Sequence, residues 1–296
     1  MPDPKKYLDP RVLARLTRLD LKARLVVEGF LSGLHQSPYK GFSQEFADYR
    51  PYMPGDEVRR IDWKVYGRTD RFYIKEYLEE TNLRGYILLD KSGSMGYGEK
   101  VTKLEYAKYL AASLAYLLYR QKDGVGIATF DTRIRDFIPP SSKKLGFMRV
   151  LEAVDRAQAS GETSLADVIS EIAQKVKRRG LVILISDLFD DPDRVLKAIR
   201  SFKYRKHEIL VYQVLDVKER DFPFSETAVF FDLETREEMA VQPDFIRSSF
   251  RKKMAEFQDR YRRRLNEAHI SYDTLYTDTP YDKALFACLQ KRRRLL

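Results

Sequence analysis

The chain is poor in the residues that most often carry metal or redox chemistry. Its 296 residues include one cysteine, Cys288, and three histidines, His35, His207 and His269. A lone cysteine excludes an intramolecular disulfide and a thiolate zinc site. Cys288 lies in the apolar stretch Lys283-Ala-Leu-Phe-Ala-Cys-Leu289 and reads as core packing. The histidines are too scattered for a zinc triad. No Gly-x-x-x-x-Gly-Lys-Ser/Thr phosphate loop is present. No apolar run approaches the roughly 20 residues that a spanning helix requires, so no membrane span is expected. The opening Met-Pro-Asp-Pro-Lys-Lys is not followed by the apolar core of a secretory signal. These absences together lead to the expectation of a soluble, cytoplasmic protein.

What is present suffices for a large core, because 44% of the residues are hydrophobic. The formal charge of +10 is unevenly placed. Arg247 to Arg264 holds eight basic and two acidic residues, and Lys291 to Arg294 adds four more cations. The remainder is close to neutral. A basic face of this kind could attract nucleic acid or an acidic partner. However, Phe250, Phe257 and Tyr261 recur at helical spacing, which points to the core rather than to base stacking.

Two regions differ in texture, which sets the expected boundary at residues 1–82 and 83–296. The first begins with amphipathic helical spacing over Arg11 to Phe30. From Gly33 it turns to a stretch rich in Tyr, Phe, Arg, Gly and Pro, and Arg60 to Tyr66 and Arg71 to Leu78 alternate like strands of a small sheet. Trp63 would anchor that sheet's core. The second region alternates strands and helices. Strands are expected at Tyr86–Leu89, Gly124–Asp131, Ile134–Pro139, Leu181–Ser186, Glu208–Leu215 and Ile270–Tyr276. Helices fall at Val101–Gln121, Leu145–Ala157, Leu165–Val176, Val195–Phe202, from Pro243 onward and at Tyr281–Leu289. A hairpin is expected near 227–242. This alternation implies an α/β fold: a doubly wound, mostly parallel sheet with helices on both faces, preceded by a small N-terminal helix-plus-β subdomain.

Chemistry concentrates in Arg84-Gly-Tyr-Ile-Leu-Leu-Asp-Lys-Ser-Gly-Ser-Met-Gly-Tyr-Gly98. A short apolar strand ends in Asp90, and a Gly/Ser loop then sets Ser92 and Ser94 at alternate positions. One carboxylate and two hydroxyls are hard oxygen donors, suited to Mg²⁺ or Mn²⁺. Two later stretches belong with it. In Ser160-Gly-Glu-Thr-Ser164, Gly161 permits a sharp turn, and Thr163 is either a helix N-cap or a third hydroxyl ligand. In Leu181-Val-Ile-Leu-Ile-Ser-Asp187, a continuous apolar run suits a strand buried on both faces, and Asp187 stands at its carboxyl end as Asp90 does on the first. Asp190 and Asp191 would cap the helix that follows Pro192.

Asp90-Lys-Ser-Gly-Ser94, Gly161-Glu-Thr163 and Ile185-Ser-Asp187, in that order and on those elements, resemble the metal-ion-dependent adhesion site of von Willebrand factor A-type domains. The resemblance implies a von Willebrand factor A-like fold. It implies direct contact of Ser92, Ser94 and Thr163 with the ion, and Asp90 and Asp187 acting largely through water. Upstream, His35-x-Ser-Pro, Arg50-x-Tyr-x-Pro-Gly-Asp56 and Arg59-Arg-Ile-Asp-Trp63 resemble the bacterial domain-of-unknown-function family number fifty-eight. Members of that family often occur beside MoxR-type AAA+ ATPases. The resemblance therefore implies a non-enzymatic adaptor or assembly factor working with such an ATPase or its client, which would dock an Asp or Glu onto the ion.

Two rival readings remain at this stage. Nucleic-acid binding through the basic C-terminal helix would fall steeply with salt. Mg²⁺-dependent phosphoryl transfer would use Asp90 as a nucleophile, but the second aspartate that haloacid dehalogenase-type phosphatases carry two residues later is Ser92 in this chain.

Overall fold

A computed structural model describes residues 19, 21, 23–28, 49–53, 61, 63–75, 83–161, 164–225, 228–231, 233 and 238–293. The main sheet is built from six strands: β3 (Arg84–Asp90), β4 (Gly124–Phe130), β5 (Ile134–Ser141), β6 (Leu181–Ser186), β7 (Glu208–Leu215) and β10 (Ser271–Tyr276). Their spatial order is β10-β7-β6-β3-β4-β5. Every neighbouring pair is parallel except β4 and β5, which form an antiparallel edge. Five helices lie between or beside these strands: α2 (Lys103–Arg120), α3 (Lys144–Arg156), α4 (Leu165–Lys175), α5 (Pro192–Tyr204) and α7 (Pro243–Glu267). The short α6 (Val217–Asp221) follows β7, and α8 (Asp282–Arg293) closes the described chain.

Strand periodicity divides the core. On β3, Ile87 and Leu89 join one buried cluster, while Tyr86 and Leu88 join the other. The same alternation runs along β6, where Ile183 and Ile185 face α2, α3 and α8, and Val182 and Leu184 face α4, α5 and α7. A strand that must bury both faces cannot alternate with polar residues, which is why Leu181 to Ile185 is apolar throughout. The von Willebrand factor A-like fold expected from the sequence is therefore observed, in a doubly wound sheet whose order reverses at β3. Leu19, Ala23, Val26 and Val27, all helical, are buried in the first cluster against this same sheet.

The region before Arg84 departs from expectation in one place. Beyond the helical residues just named, it holds a two-stranded antiparallel pair, β1 (Tyr49–Pro51) with β2 (Tyr73–Lys75), and a helix between them, α1 (Trp63–Thr69). The segment read as a strand over Arg60–Tyr66 is thus largely helical. Trp63 is not a core anchor either: it is 57% exposed. Trp63 and Tyr66 are three apart, which places both on one helix face. Both rings pack on Phe72, with Tyr66 and Phe72 stacked 4.4 Å apart. Further on, β8 (Ala228–Phe231) pairs antiparallel with β9 (Glu238–Val241). The basic helix α7 buries Tyr261 and Leu265, and Phe250 packs on Phe222. Several of its arginines are paired, Arg260 with Asp193 and Arg262 with Asp259. Cys288 is buried in the core.

His207, between α5 and β7, is buried with its ring edge-on to Phe202 and Tyr86. Burial disfavours the imidazolium and pulls its pKa below the ordinary value. The unfolded chain takes up this proton near about pH 6.5 and the folded chain does not, so stability is complete above that pH and falls below it. Buried Asp90, whose pKa is raised to about 7, contributes with the opposite sign over the same range, so we predict that the His207 loss appears as a difference between wild type and His207→Gln in the pH slope of urea unfolding from about pH 7.5 to pH 5. An identical slope in the variant would remove His207 as the cause.

Candidate metal centre

The carboxyl ends of β3 and β6 meet where the sheet order reverses, which is where doubly wound sheets leave a crevice for ligands. Asp90, the last residue of β3, is fully buried there. A buried carboxylate needs donors, and two converge on it. The backbone N–H of Ser92 donates to Oδ1 at 2.9 Å, and the Ser186 hydroxyl, from the end of β6, donates to Oδ2 at 2.6 Å. Ser186 Oγ in turn accepts the Leu188 N–H at 2.9 Å. The first of these bonds is the turn that an Asp-x-Ser sequence favours. It leads into a short 3₁₀ turn over Gly93–Gly96. The turn brings the Ser92 and Ser94 hydroxyls into a mutual hydrogen bond at 3.2 Å, with Ser92 buried and Ser94 half-buried.

The 158–161 segment is fastened to this loop from the other side. Gly93 N–H donates to the Gly161 carbonyl at 2.9 Å, and Ser160 N–H to the Lys91 carbonyl at 3.0 Å. The Lys91 ammonium reaches the Gln158 carbonyl at 3.3 Å and the buried Asp131 at 3.6 Å. Gly161 carries the positive φ of 77° that the sequence reserved for it. Ser164 stands at the N-cap position of α4, and Asp190 accepts the Ala166 N–H of the same first turn. Asp191 caps α5, as its position before Pro192 suggested. Thr163 lies outside the described residues.

Asp187 follows Ser186 and is also fully buried. Its Oδ1 accepts the Phe189 N–H at 3.2 Å, and the Gln213 side chain donates to its backbone carbonyl at 3.0 Å. Its Oδ2 accepts from the Lys103 ammonium at 2.8 Å, and the same ammonium lies 2.8 Å from Glu219 Oε1. Lys103 is the first residue of α2, whose N-cap Thr102 forms a capping box with Glu105.

Charge and burial shape the titration of this cluster. Burial first, and the neighbouring Asp187 charge second, push Asp90 up to about 7, although the hydrogen bonds from Ser186 and Ser92 oppose the rise. Burial works against the Lys103 ammonium, but Asp187 and Glu219 outweigh it and its pKa ends raised. Burial also raises Glu219, and Lys103 offsets part of that rise.

The donor set suits a small hard cation. Two ligand oxygens at adjacent corners of an octahedral Mg²⁺ shell, each about 2.1 Å from the ion, stand about 3 Å apart, close to the Ser92–Ser94 separation. Among the described residues no group of three or more His, Cys, Asp or Glu side chains is placed to hold a metal. Of the five residues singled out from sequence, Asp90, Ser92, Ser94 and Asp187 lie together along this rim. Ser186, Lys103 and Glu219 are the participants that the sequence reading did not mark. A lysine in the first turn of a helix opposes the helix dipole, and that was the available signal for Lys103.

Known proteins resemble this chain in sequence and architecture. An uncharacterized protein of Mycobacterium tuberculosis is 28% identical over 251 residues, covering 81% of this chain and 78% of the relative. The structure described as an aerotolerance-related membrane protein from Bacteroides fragilis aligns with 72% of this chain and 99% of its own, at 15% identity and a TM-score of 0.48. The VWA domain of SpRpn10 aligns with 70% of this chain and 94% of its own, at 12% identity and a TM-score of 0.40. Alignments this distant add nothing to the sheet topology itself. The cytoplasmic expectation is corrected: an absent apolar run says nothing of compartment, and the structures similar to this chain include one described as a membrane protein. The composition of a domain does not fix the compartment of the protein that contains it. What holds is narrower: no helix among the described residues is long and apolar enough to cross a membrane. The profile of DUF58, a family of unknown function, matches residues 48–261, and the chain belongs to that family.

Proposed function

We propose that this protein is a non-enzymatic, metal-dependent interaction module that recognises a carboxylate on a protein partner. Ser92, Ser94 and Thr163 would hold Mg²⁺ or Mn²⁺ directly, and Asp90 and Asp187 would balance its charge from behind. The observation that carries this reading is the pair of hydroxyls 3.2 Å apart in front of a fully buried carboxylate. When bound, the ion supplies positive charge at a position that a partner's Asp or Glu can occupy. The chain's own residues do the rest. Asp90 orients the loop through the Ser92 N–H, Ser186 locks Asp90 to the neighbouring strand, and Lys91 clamps the 158–161 segment beside them. The family resemblance makes a MoxR-type AAA+ ATPase, or its client, the partner we propose, with this chain as adaptor or assembly factor. A nucleophilic role for Asp90 is disfavoured by its full burial and by the donors that engage both of its oxygens.

Burial and the Asp187 charge both oppose ionisation of Asp90. We expect Asp90→Asn to weaken Mn²⁺ binding by at least about tenfold, while the thermal midpoint of the ion-free protein holds or rises, as is common where function needs a strained charge. Parallel loss of stability and ion binding would show that Asp90 only supports the fold. A second expectation concerns the partner. Affinity purification from the source cell should recover an ATPase that is released by a chelator and is not recovered with Ser94→Ala. Retention in the presence of chelator would refute metal-dependent docking.

A further inference from the structure

Lys103 is the most unusual charge near the candidate centre. Its side chain is 1% exposed. The ammonium sits between Asp187 and Glu219 and lies 4.6 Å from the centre of the Phe189 ring. The first turn of a helix is a poor place for a cation, and burial makes it worse. The position is sustained by carboxylates that are themselves fixed. Glu219 belongs to the capping box of α6, where its Oε2 accepts the Asp216 N–H at 2.7 Å. Asp187 is set by the end of β6 and by the Phe189 N–H. The ammonium is therefore built into two helix starts and one strand end.

This arrangement changes what Asp187 can offer an incoming ion. One of its oxygens is engaged by a full positive charge at 2.8 Å. A divalent ion in front of Ser92 and Ser94 would meet Asp90 as its one uncompensated carboxylate along this rim. It would share Asp187 with an ammonium already 2.8 Å from that carboxylate, and repulsion between two cations at one carboxylate is strong where water is excluded. We infer that Lys103 is a built-in counter-cation that competes with the divalent ion for Asp187, lowering ion affinity and leaving more of the ion's charge available to an incoming carboxylate. The inference rests on the metal-dependent reading above and assigns Lys103 a charge-setting role rather than a contact with the ion.

The test is Mn²⁺ titration of the full chain, followed by electron paramagnetic resonance, for wild type, Lys103→Met, Lys103→Arg and the double variant Lys103→Met/Glu219→Gln. The double variant removes one charge of each sign, so it guards against unfolding caused by two unpaired acids. Lys103→Met and the double variant should bind Mn²⁺ at least about tenfold more tightly, even though the ion-free proteins melt lower, while Lys103→Arg stays close to wild type. In the Mn²⁺-loaded forms, acetate should displace bound water less readily from the Met variants than from wild type. A purely structural ion pair would instead lose ion affinity and stability together.

The outcomes separate the two ideas. If wild type binds Mn²⁺ and the Met variants bind no more tightly, the Lys103 role is overturned and the metal reading stands. If no form binds, both fall. Binding by the Met variants alone supports competition by Lys103 and removes the resident ion from wild type. Failure of both Met variants to fold overturns the proposal in favour of a structural ion pair.

Discussion

A carboxylate with no access to water, placed at the end of the central strand, is the constraint on which the rest of the site depends. Asp90 cannot be buried without donors, and the donors it finds come from its own loop and from the next strand. Satisfying it therefore folds the Ser92–Ser94 turn and ties β3 to β6 at their carboxyl ends in one step. The residual cost appears as the upward shift of its pKa.

The second carboxylate at the rim is treated differently. Asp187 is neutralised internally by Lys103, and Lys103 is shared with Glu219. Two buried acids on neighbouring strand ends therefore differ in environment: one is held by neutral donors and the other by an ammonium. A partner docking at this edge would face hydroxyls on the near side and a charge network behind them. That network runs into α6 through Glu219, and α6 packs near the start of α7 through Phe222 and Phe250.

Much of the architecture was legible because it rests on periodicity. The run Leu181 to Ile185 suited a strand buried on both faces. The repeating apolar positions of α2 and α7 matched helical spacing, and Gly161 marked a sharp turn. The helix at Trp63–Thr69 was misread because Ile61, Trp63 and Val65 alternate over too short a span to separate a period of 2 from one of 3.6. The compartment was misjudged for a different reason: composition describes the domain in hand and not what carries it.

The sequence by itself determined the donors: which strand ends carry acids, which loop carries hydroxyls, and that hard oxygen rather than sulfur or imidazole was on offer. Those follow from local patterns of a few residues. Only the tertiary structure decided which side chains meet. Lys103 lies 84 positions from Asp187 and 116 from Glu219, and Ser186 lies 96 from Asp90. Long-range pairing is set by the order in which strands stack and by the helix starts that this order brings to one edge. No local pattern encodes it, so the counter-cation behind the rim became visible only in the folded chain.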